Sequence, residues 1–312
     1  MNRKAKKPAV HRKGLGSYLK GHWDLYLLLL PAVVYVAIFC YGPMYGVLMA
    51  FEDYSIKKGI LGSPFVGLKY FKQFFSTYKA GQLIQNTVIL SVYSLVVGLP
   101  FPIILALMLN YCVNKKFAKV VQTVTYMPYF ISIMVLVGMM KIFFSTNFGI
   151  VNMIIKHFGG EPYAFMSEAK AFRHMYVWSG VWQGTGYNSV IYFAALSSID
   201  PTLYEAAELD GASKLQRIRY IDLPGIRGTI MIMLIMSAGN IMSVGFDKAY
   251  LMQNDRNLGV SEILSTYVYK VGLIDTRYSF SAAVNLFNSL INFIILIVVN
   301  QISRKISDTG LW

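Results

Sequence analysis

The chain has 312 residues, of which 55% are hydrophobic and only 14% charged. A charged fraction so far below the quarter typical of soluble domains excludes an ordinary soluble globular protein and points to the membrane. The formal net charge of +14 raises nucleic-acid binding as a class, but the bases flank long apolar runs, as topology signals do, so no nucleic-acid partner is inferred.

A bilayer core about 30 Å thick takes roughly 20 apolar residues of helix. Six windows free of Asp, Glu, Lys and Arg approach or exceed that length: Leu25–Phe51, Ala80–Asn114, Val120–Met140, Met175–Ile199, Gly228–Phe246 and Tyr278–Ser303. Each is rich in Leu, Ile, Val, Met and aromatics without strict alternation, which argues for helices and against a transmembrane barrel. The predicted fold is therefore an all-α integral membrane protein, a six-helix transmembrane bundle. Its spans are expected at residues 25–49, 84–109, 120–142, 175–199, 226–246 and 281–302.

Ahead of the first span, Arg3, Lys4, Lys6, Lys7, Arg12, Lys13 and Lys20 precede the first acid, Asp24. This basic tail, residues 1–24, is placed in the cytoplasm, and six spans return the tail at 303–312 to the same side, so both termini are cytoplasmic. A basic stretch before an apolar run also resembles a secretory signal. The run is too long for that, no small-residue cleavage site follows, and Phe39 before Cys40 does not fit a lipoprotein site, so the first span is expected to be retained. Cys40 and Cys112 lie in or beside apolar helices and read as small fillers. Pro31, Tyr41–Pro43, Gly98–Pro102 and Pro128 interrupt the spans, either as ordinary kinks or as hinges beside a translocation path.

The outer loop from Glu52 to Gly81 holds "FVGLKYFKQFF", and that from Ser145 to His174 holds "FGIVNMIIKHF". Both suggest short amphipathic helices at the membrane surface. Groups able to drive chemistry are missing. The chain has no GxxxxGK[ST] phosphate loop, no HExxH and no GxSxG, and His11, His22, His157 and His174 are scattered without metal-ligand spacing. No ionised residue falls inside a window, and Lys141 sits at a span end where it can snorkel, which disfavours ion-coupled transport.

Neutral polar residues do occur within the spans: Gln122, Tyr126, Tyr129, Trp178, Gln183, Tyr187, Asn188, Asn240, Asn285, Asn288 and Asn292. Two readings stand: interhelical hydrogen bonds, or a path for a hydroxyl-rich solute in which amides meet hydroxyls and aromatic faces meet sugar rings. The candidate path residues are Tyr126, Trp178, Gln183, Tyr187, Asn188, Asn240, Asn285, Asn288 and Asn292.

Residues 200–224 form the most charged stretch between two spans. Asp200 and Pro201 read as an N-cap and first helical residue, and Tyr204, Ala207, Gly211, Leu215 and Ile218 share one helical stripe. Gly211 is placed to end a first short helix in a left-handed turn. Ser213 and Gln216 form a capping box for a second helix, and Pro224 is expected to keep that helix from running smoothly into the next span. The result is a bent helical hairpin on the cytoplasmic side, either docking against another protein or lying on the membrane.

"EAAELDG", nine residues and then "IDLP" resemble the EAA motif of binding-protein-dependent ABC importer permeases. "LLLLPAVVYVAIFCYGPMYGVLMAFEDY", "GSPFVGLKYF", "VQTVTYMPYFIS", "STYVYKVGL" and the terminal "LW" are similar to LplB-like polysaccharide and oligosaccharide permeases of the maltose-type carbohydrate uptake family. The resemblance implies a type I importer permease in a bacterial cell membrane, not itself an enzyme. It makes 200–224 the ATPase-coupling hairpin, with Glu205, Ala206, Ala207, Asp210, Gly211, Leu223 and Pro224 as the coupling residues. Implied partners are a second homologous permease, two ABC ATPase subunits that use ATP and Mg, an extracellular solute-binding lipoprotein and an oligosaccharide cargo. This chain would bind no cofactor or metal. The alternatives are a self-sufficient secondary carrier or channel for a polar solute, and a membrane enzyme acting on lipid or polysaccharide.

Overall fold

A computed structural model describes residues 23–243, 245–307 and 310. The tail bases from Arg3 to Lys20, with His11 and His22, lie outside the described residues, as do Asp308, Thr309, Leu311 and Trp312 of the C-terminal tail. The chain divides into two units, Met1–Leu48 and Met49–Trp312.

α1 (Trp23–Val36) carries Pro31 inside it, passes through a π-turn at Ala37–Tyr41 and continues as a 3₁₀ helix, Gly42–Phe51, within which the first unit ends. The sharper windings follow the Tyr41–Pro43 interruption, where Pro43 has no N–H to give to an α-helical bond.

The second unit is helical throughout apart from loops, and its only β pairing among the described residues is an isolated bridge between Glu52 and Phe65. The loop from Glu52 to Gly81 holds an amphipathic helix, α2 (Lys69–Ser76), which buries Phe74. Next come α3 (Lys79–Gly98) and α4 (Pro100–Asn110), which run on as one 32-residue apolar helix. Pro100 is tolerated there because it falls in the first turn of α4. α5 (Lys115–Tyr126) is capped by the Asn114 side chain and tightens at Pro128 into a 3₁₀ turn, Met127–Phe130. The chain then bends by 98°, and Ser132 caps α6 (Ile133–Phe143). The loop from Ser145 to His174 forms α7 (Ile150–His157), in which buried Asn152 holds the backbone at Ser145 and Tyr163.

α8 (Ala169–Ser197) is the axis of the unit. Three hydrophobic clusters form the core of the unit among the described residues, and two of them are built on α8 side chains. One joins Leu90, Leu136, Met140, Phe172, Val177 and Met252, and another joins Ile103, Ala106, Tyr192, Leu196 and Ile226. The third joins Phe74, Leu83 and Leu264 to Phe280 and Val284 of the last helix. After the hairpin, α11 (Arg227–Ala238) is followed by turns, then α12 (Phe246–Met252), α13 (Leu264–Tyr269) and α14 (Tyr278–Ser307). The hairpin helices α9 (Pro201–Leu209) and α10 (Lys214–Arg217) precede α11.

Among the described residues, three helices are long and apolar enough to cross a membrane, Trp23–Phe51, Lys79–Asn110 and Tyr278–Lys305, and two bent pairs raise the count to as many as five. The 29-residue α8 is long enough at roughly 43 Å, but Gln183, Thr185, Asn188 and Ser189 dilute its apolar character. The predicted fifth span extends to residue 246, whereas the helix stops at Ala238 and residues 239–243 form turns. The Met242 N–H is taken there by the Asn292 side chain at 2.8 Å, not by a helical carbonyl.

α8 approaches α5 so closely that a Cβ added at Gly186 would lie 2.0 Å from the Thr125 carbonyl oxygen, while a Cβ at Gly138 of α6 meets nothing within 4 Å. Gly186→Ala should therefore lose stability by about 1–3 kcal/mol, the usual cost of overpacking, and Gly138→Ala should not. Thermal unfolding of the detergent-purified protein, followed by size exclusion, checks the contrast; equal melting points would contradict the close approach.

Candidate functional site

The charged stretch folds as two short helical arms. Asp200 Oδ1 accepts from the Thr202 N–H at 2.9 Å, with Pro201 opening α9 (Pro201–Leu209). The cap also holds the Asp200 carboxyl below the ordinary value, since the Thr202 N–H favours the charged form.

At the turn, Gly211 has φ 72°. Its N–H reaches the Glu208 carbonyl at 3.1 Å, and the Ala212 N–H reaches the Ala207 carbonyl at 2.8 Å, the paired bonds of a Schellman motif. The capping box forms as expected: the Ser213 N–H donates to Gln216 Oε1 at 2.7 Å and the Gln216 N–H to Ser213 Oγ at 3.4 Å, opening α10 (Lys214–Arg217). Arg217 ties the arms, donating from Nε to the Ala212 carbonyl at 3.2 Å and pairing with Glu208 at 3.6 Å.

Two features differ from the sequence expectation. The shared stripe splits: Tyr204, Ala207 and Ile218 are half-buried, whereas Gly211 and Leu215 are exposed, because the left-handed turn at Gly211 resets the helical phase. The bend also falls later than Pro224. A π-turn at Ile218–Asp222 carries the chain into Leu223–Gly225, with Pro224 inside, and the 60° bend comes between Gly225 and Arg227. The wider π winding relieves the proline's conflict with the preceding turn. Of the candidate coupling residues, Glu205, Ala206, Asp210, Gly211, Leu223 and Pro224 are exposed and Ala207 is half-buried.

Sequence reasoning missed the anchor of this hairpin. Asp222 is fully buried and accepts hydrogen bonds from the Tyr111 hydroxyl at 2.7 Å and the Tyr204 hydroxyl at 2.5 Å. Tyr111 follows the end of α4 and Tyr204 lies on α9, so one carboxylate joins both arms to the end of a spanning helix. Burial first, and then the neighbouring carboxylate, pushes both phenols above their ordinary pKa. No local pattern pairs residues 111 positions apart.

A cavity of about 490 Å³ opens between α3, α4, α8, α11 and the 240–248 segment. Its polar wall includes Ser91, Ser94, Gln183, Asn188, Asn240 and Lys248. Three candidate path residues, Gln183, Asn188 and Asn240, are thus brought together; the other six do not line it. Trp178 stands edge-on to Phe101, and exposed Tyr187 stacks on Tyr129 with ring centroids 3.9 Å apart. Tyr126 is half-buried at the end of α5, Asn285 is exposed and Asn288 is buried with its Oδ1 unpartnered. Asn292 holds Met242 and donates to Ser243 Oγ at 2.9 Å.

Lys248 is the second residue missed, because the charge-free window ends at Phe246. α12 turns it inward, where only 6% of it is exposed. Its Nζ donates to the Tyr176 carbonyl at 2.7 Å and lies 4.7 Å from the centre of the Tyr176 ring. Among the described residues, no group of three or more His, Cys, Asp or Glu side chains is placed to hold a metal ion.

The family model described as "Binding-protein-dependent transport system inner membrane component" matches residues 86–308. The chain is 40% identical over 288 residues to Protein LplB of Bacillus subtilis (strain 168), covering 92% of this chain and 91% of that protein. It is 38% identical over 288 residues to the polygalacturonan/rhamnogalacturonan transport system permease protein YteP of the same strain, covering 92% and 90%. Among solved structures, it is similar to a chain of a bacterial alginate ABC transporter in complex with alginate pentasaccharide-bound periplasmic protein. The TM-score there is 0.89 at 36% identity, over 96% of this chain and 100% of that one.

Tyr204→Phe and Tyr111→Phe should each lower stability by about 1.5–3 kcal/mol, the worth of a hydrogen bond to a charged group. The double variant, which strands a buried carboxylate, should lose more than the sum. Because both phenol values are raised on folding, this contribution is present below the unfolded phenol value of about 10 and fades as pH rises through the higher folded value. Thermal melts of the four proteins against pH check this, and strictly additive losses would contradict a shared anchor.

Proposed function

The chain belongs to the family of binding-protein-dependent transport system inner membrane components, and is thus a multi-pass permease subunit of an ABC sugar importer; we propose that its cargo is an oligosaccharide released from a complex polysaccharide. The names borne by YteP and by the alginate transporter support that cargo class. This membership displaces the self-sufficient carrier, the channel and the membrane enzyme considered from sequence alone.

In this reading the chain crosses the cell membrane six times with both termini in the cytoplasm. The crossings are the 23–51 helix, α3–α4, the bent pair α5–α6, α8, the 226–246 segment that opens with α11, and α14. The domain layout is a tail at 1–24, a permease domain at 25–302 and a tail at 303–312. The chain pairs with a second, homologous permease to complete the pore. An extracellular solute-binding lipoprotein delivers the sugar, and two separate ABC ATPase subunits bind and hydrolyse Mg-ATP.

The observation that carries the coupling role is the hairpin itself. Leu209 and Leu215 flank its turn with 90% and 78% of their surface exposed, apolar area that is unfavourable in water and favourable in a partner's cleft. Glu205, Ala206, Ala207, Asp210 and Gly211 present the docking arm, and Leu223 and Pro224 lead into the bend. Closure of the ATPases moves the hairpin, and the Asp222 anchor passes that displacement to α4, opening the cavity alternately to each side.

Gly211→Trp should abolish ATP-coupled uptake while the protein stays in the membrane. A bulky side chain at φ 72° both strains the turn, by about 1–2 kcal/mol, and occupies the docking tip. Uptake of labelled oligosaccharide by membrane vesicles containing equal amounts of each protein tests this; normal uptake by the inserted variant would refute the coupling assignment.

A further inference from the structure

Lys248 is a cation without a counter-ion. Only 6% of its surface is exposed. Among the described residues no carboxylate lies within ion-pair distance of Nζ, since the four pairs formed are Lys69–Asp53, Lys79–Glu262, Arg217–Glu208 and Lys270–Glu262. Its one hydrogen bond goes to the Tyr176 carbonyl, and the Tyr176 ring supplies the remaining attraction. Neither neutralises an ammonium. A buried ion left unpaired is among the costlier features a protein retains, and inside a membrane protein it marks a site of function.

The surroundings fit a ligand that brings the missing charge. Lys248 shares its wall of the cavity with Tyr176, Gly180 and Gly245, and Gly180 makes room for the ammonium, since a Cβ there would lie 3.2 Å from Nζ. Ser94 also lines the cavity, and its Oγ is buried without a hydrogen-bond partner. Asn188 and Gln183 line the same space. An ammonium beside hydroxyl and amide groups is the set that a sugar acid requires: one charge for the carboxylate and neutral donors and acceptors for the ring hydroxyls.

Resting on the oligosaccharide-importer reading, we propose that Lys248 is the counter-charge for a carboxylate of the cargo. The cavity between α3, α8 and α12 then selects oligosaccharides containing uronic acid over neutral ones of the same size. Tyr176 acts as a positioning residue, holding the ammonium at the wall through its carbonyl and ring. Selection at this point is separate from any made outside the membrane, because it acts on sugar already released into the path.

The test is direct binding to the intact transporter assembly in lipid nanodiscs, with no binding protein present. Fluorescently labelled trigalacturonate is compared with the same trisaccharide after reduction of its carboxyl groups. Wild type should prefer the acidic probe by about tenfold, the step that one charge-assisted hydrogen bond supplies. Lys248→Met should erase the preference by weakening the acidic probe alone, and Lys248→Arg should keep most of it. Equal binding of the two probes by wild type overturns this inference while leaving the importer reading intact, whatever the variants do. A preference that survives in Lys248→Met, or equal weakening of both probes, overturns it as well. Binding of neither probe by wild type overturns the oligosaccharide reading and this inference with it.

Discussion

Lipid offers no water to a backbone N–H or C=O, so each departure from continuous helix within a membrane protein must be satisfied by the protein itself. That constraint organises this chain. At the 98° bend between α5 and α6, the Ile131 carbonyl is met by Gln183 Nε2 at 2.7 Å. Where α11 unwinds, the Met242 N–H is met by Asn292 at 2.8 Å. Two amides on long helices thus make two breaks affordable, and the breaks leave space between α3, α8 and α11 for a cavity. Gln183 serves both ends, closing one break and lining the cavity.

The same economy appears at the cytoplasmic-facing hairpin of the proposed topology. Its arms are too short to be stable as isolated helices, and they are held by a Schellman turn, a capping box and the Glu208–Arg217 pair. Those contacts shape the hairpin without attaching it. Attachment comes from Asp222, whose burial is tolerable because two tyrosine hydroxyls reach it. Both arms are therefore tied to the end of α4, and the Ile103–Tyr192–Ile226 cluster packs that helix against α8.

The two readings of the neutral polar residues both have members. Asn292 and Gln183 make hydrogen bonds between segments, and Asn188 and Asn240 face the cavity. Asn285, Asn288 and Asn292 fall at i, i+3 and i+7 along α14 yet do not act as one surface: Asn285 is exposed, Asn288 is buried and Asn292 supports the unwound segment. Spacing placed them on one side of the helix, but neighbours differ along a helix of 30 residues.

Local chemistry was legible because it acts over a few residues. The caps at Asp200 and Pro201, the turn at Gly211 and the box from Ser213 to Gln216 are all properties of adjacent groups, and the motif around them identified the family. The membrane class followed from apolar length alone. By contrast, the carboxylate of Asp222 meeting Tyr111, the amide of Gln183 meeting Ile131 and the inward turn of Lys248 onto Tyr176 join residues 111, 52 and 72 positions apart. Those depend on how each helix is rotated about its axis. In water an apolar stripe sets that rotation, but in lipid the outside of a helix is as apolar as its packed face, so the stripe disappears and only tertiary packing decides which polar groups meet.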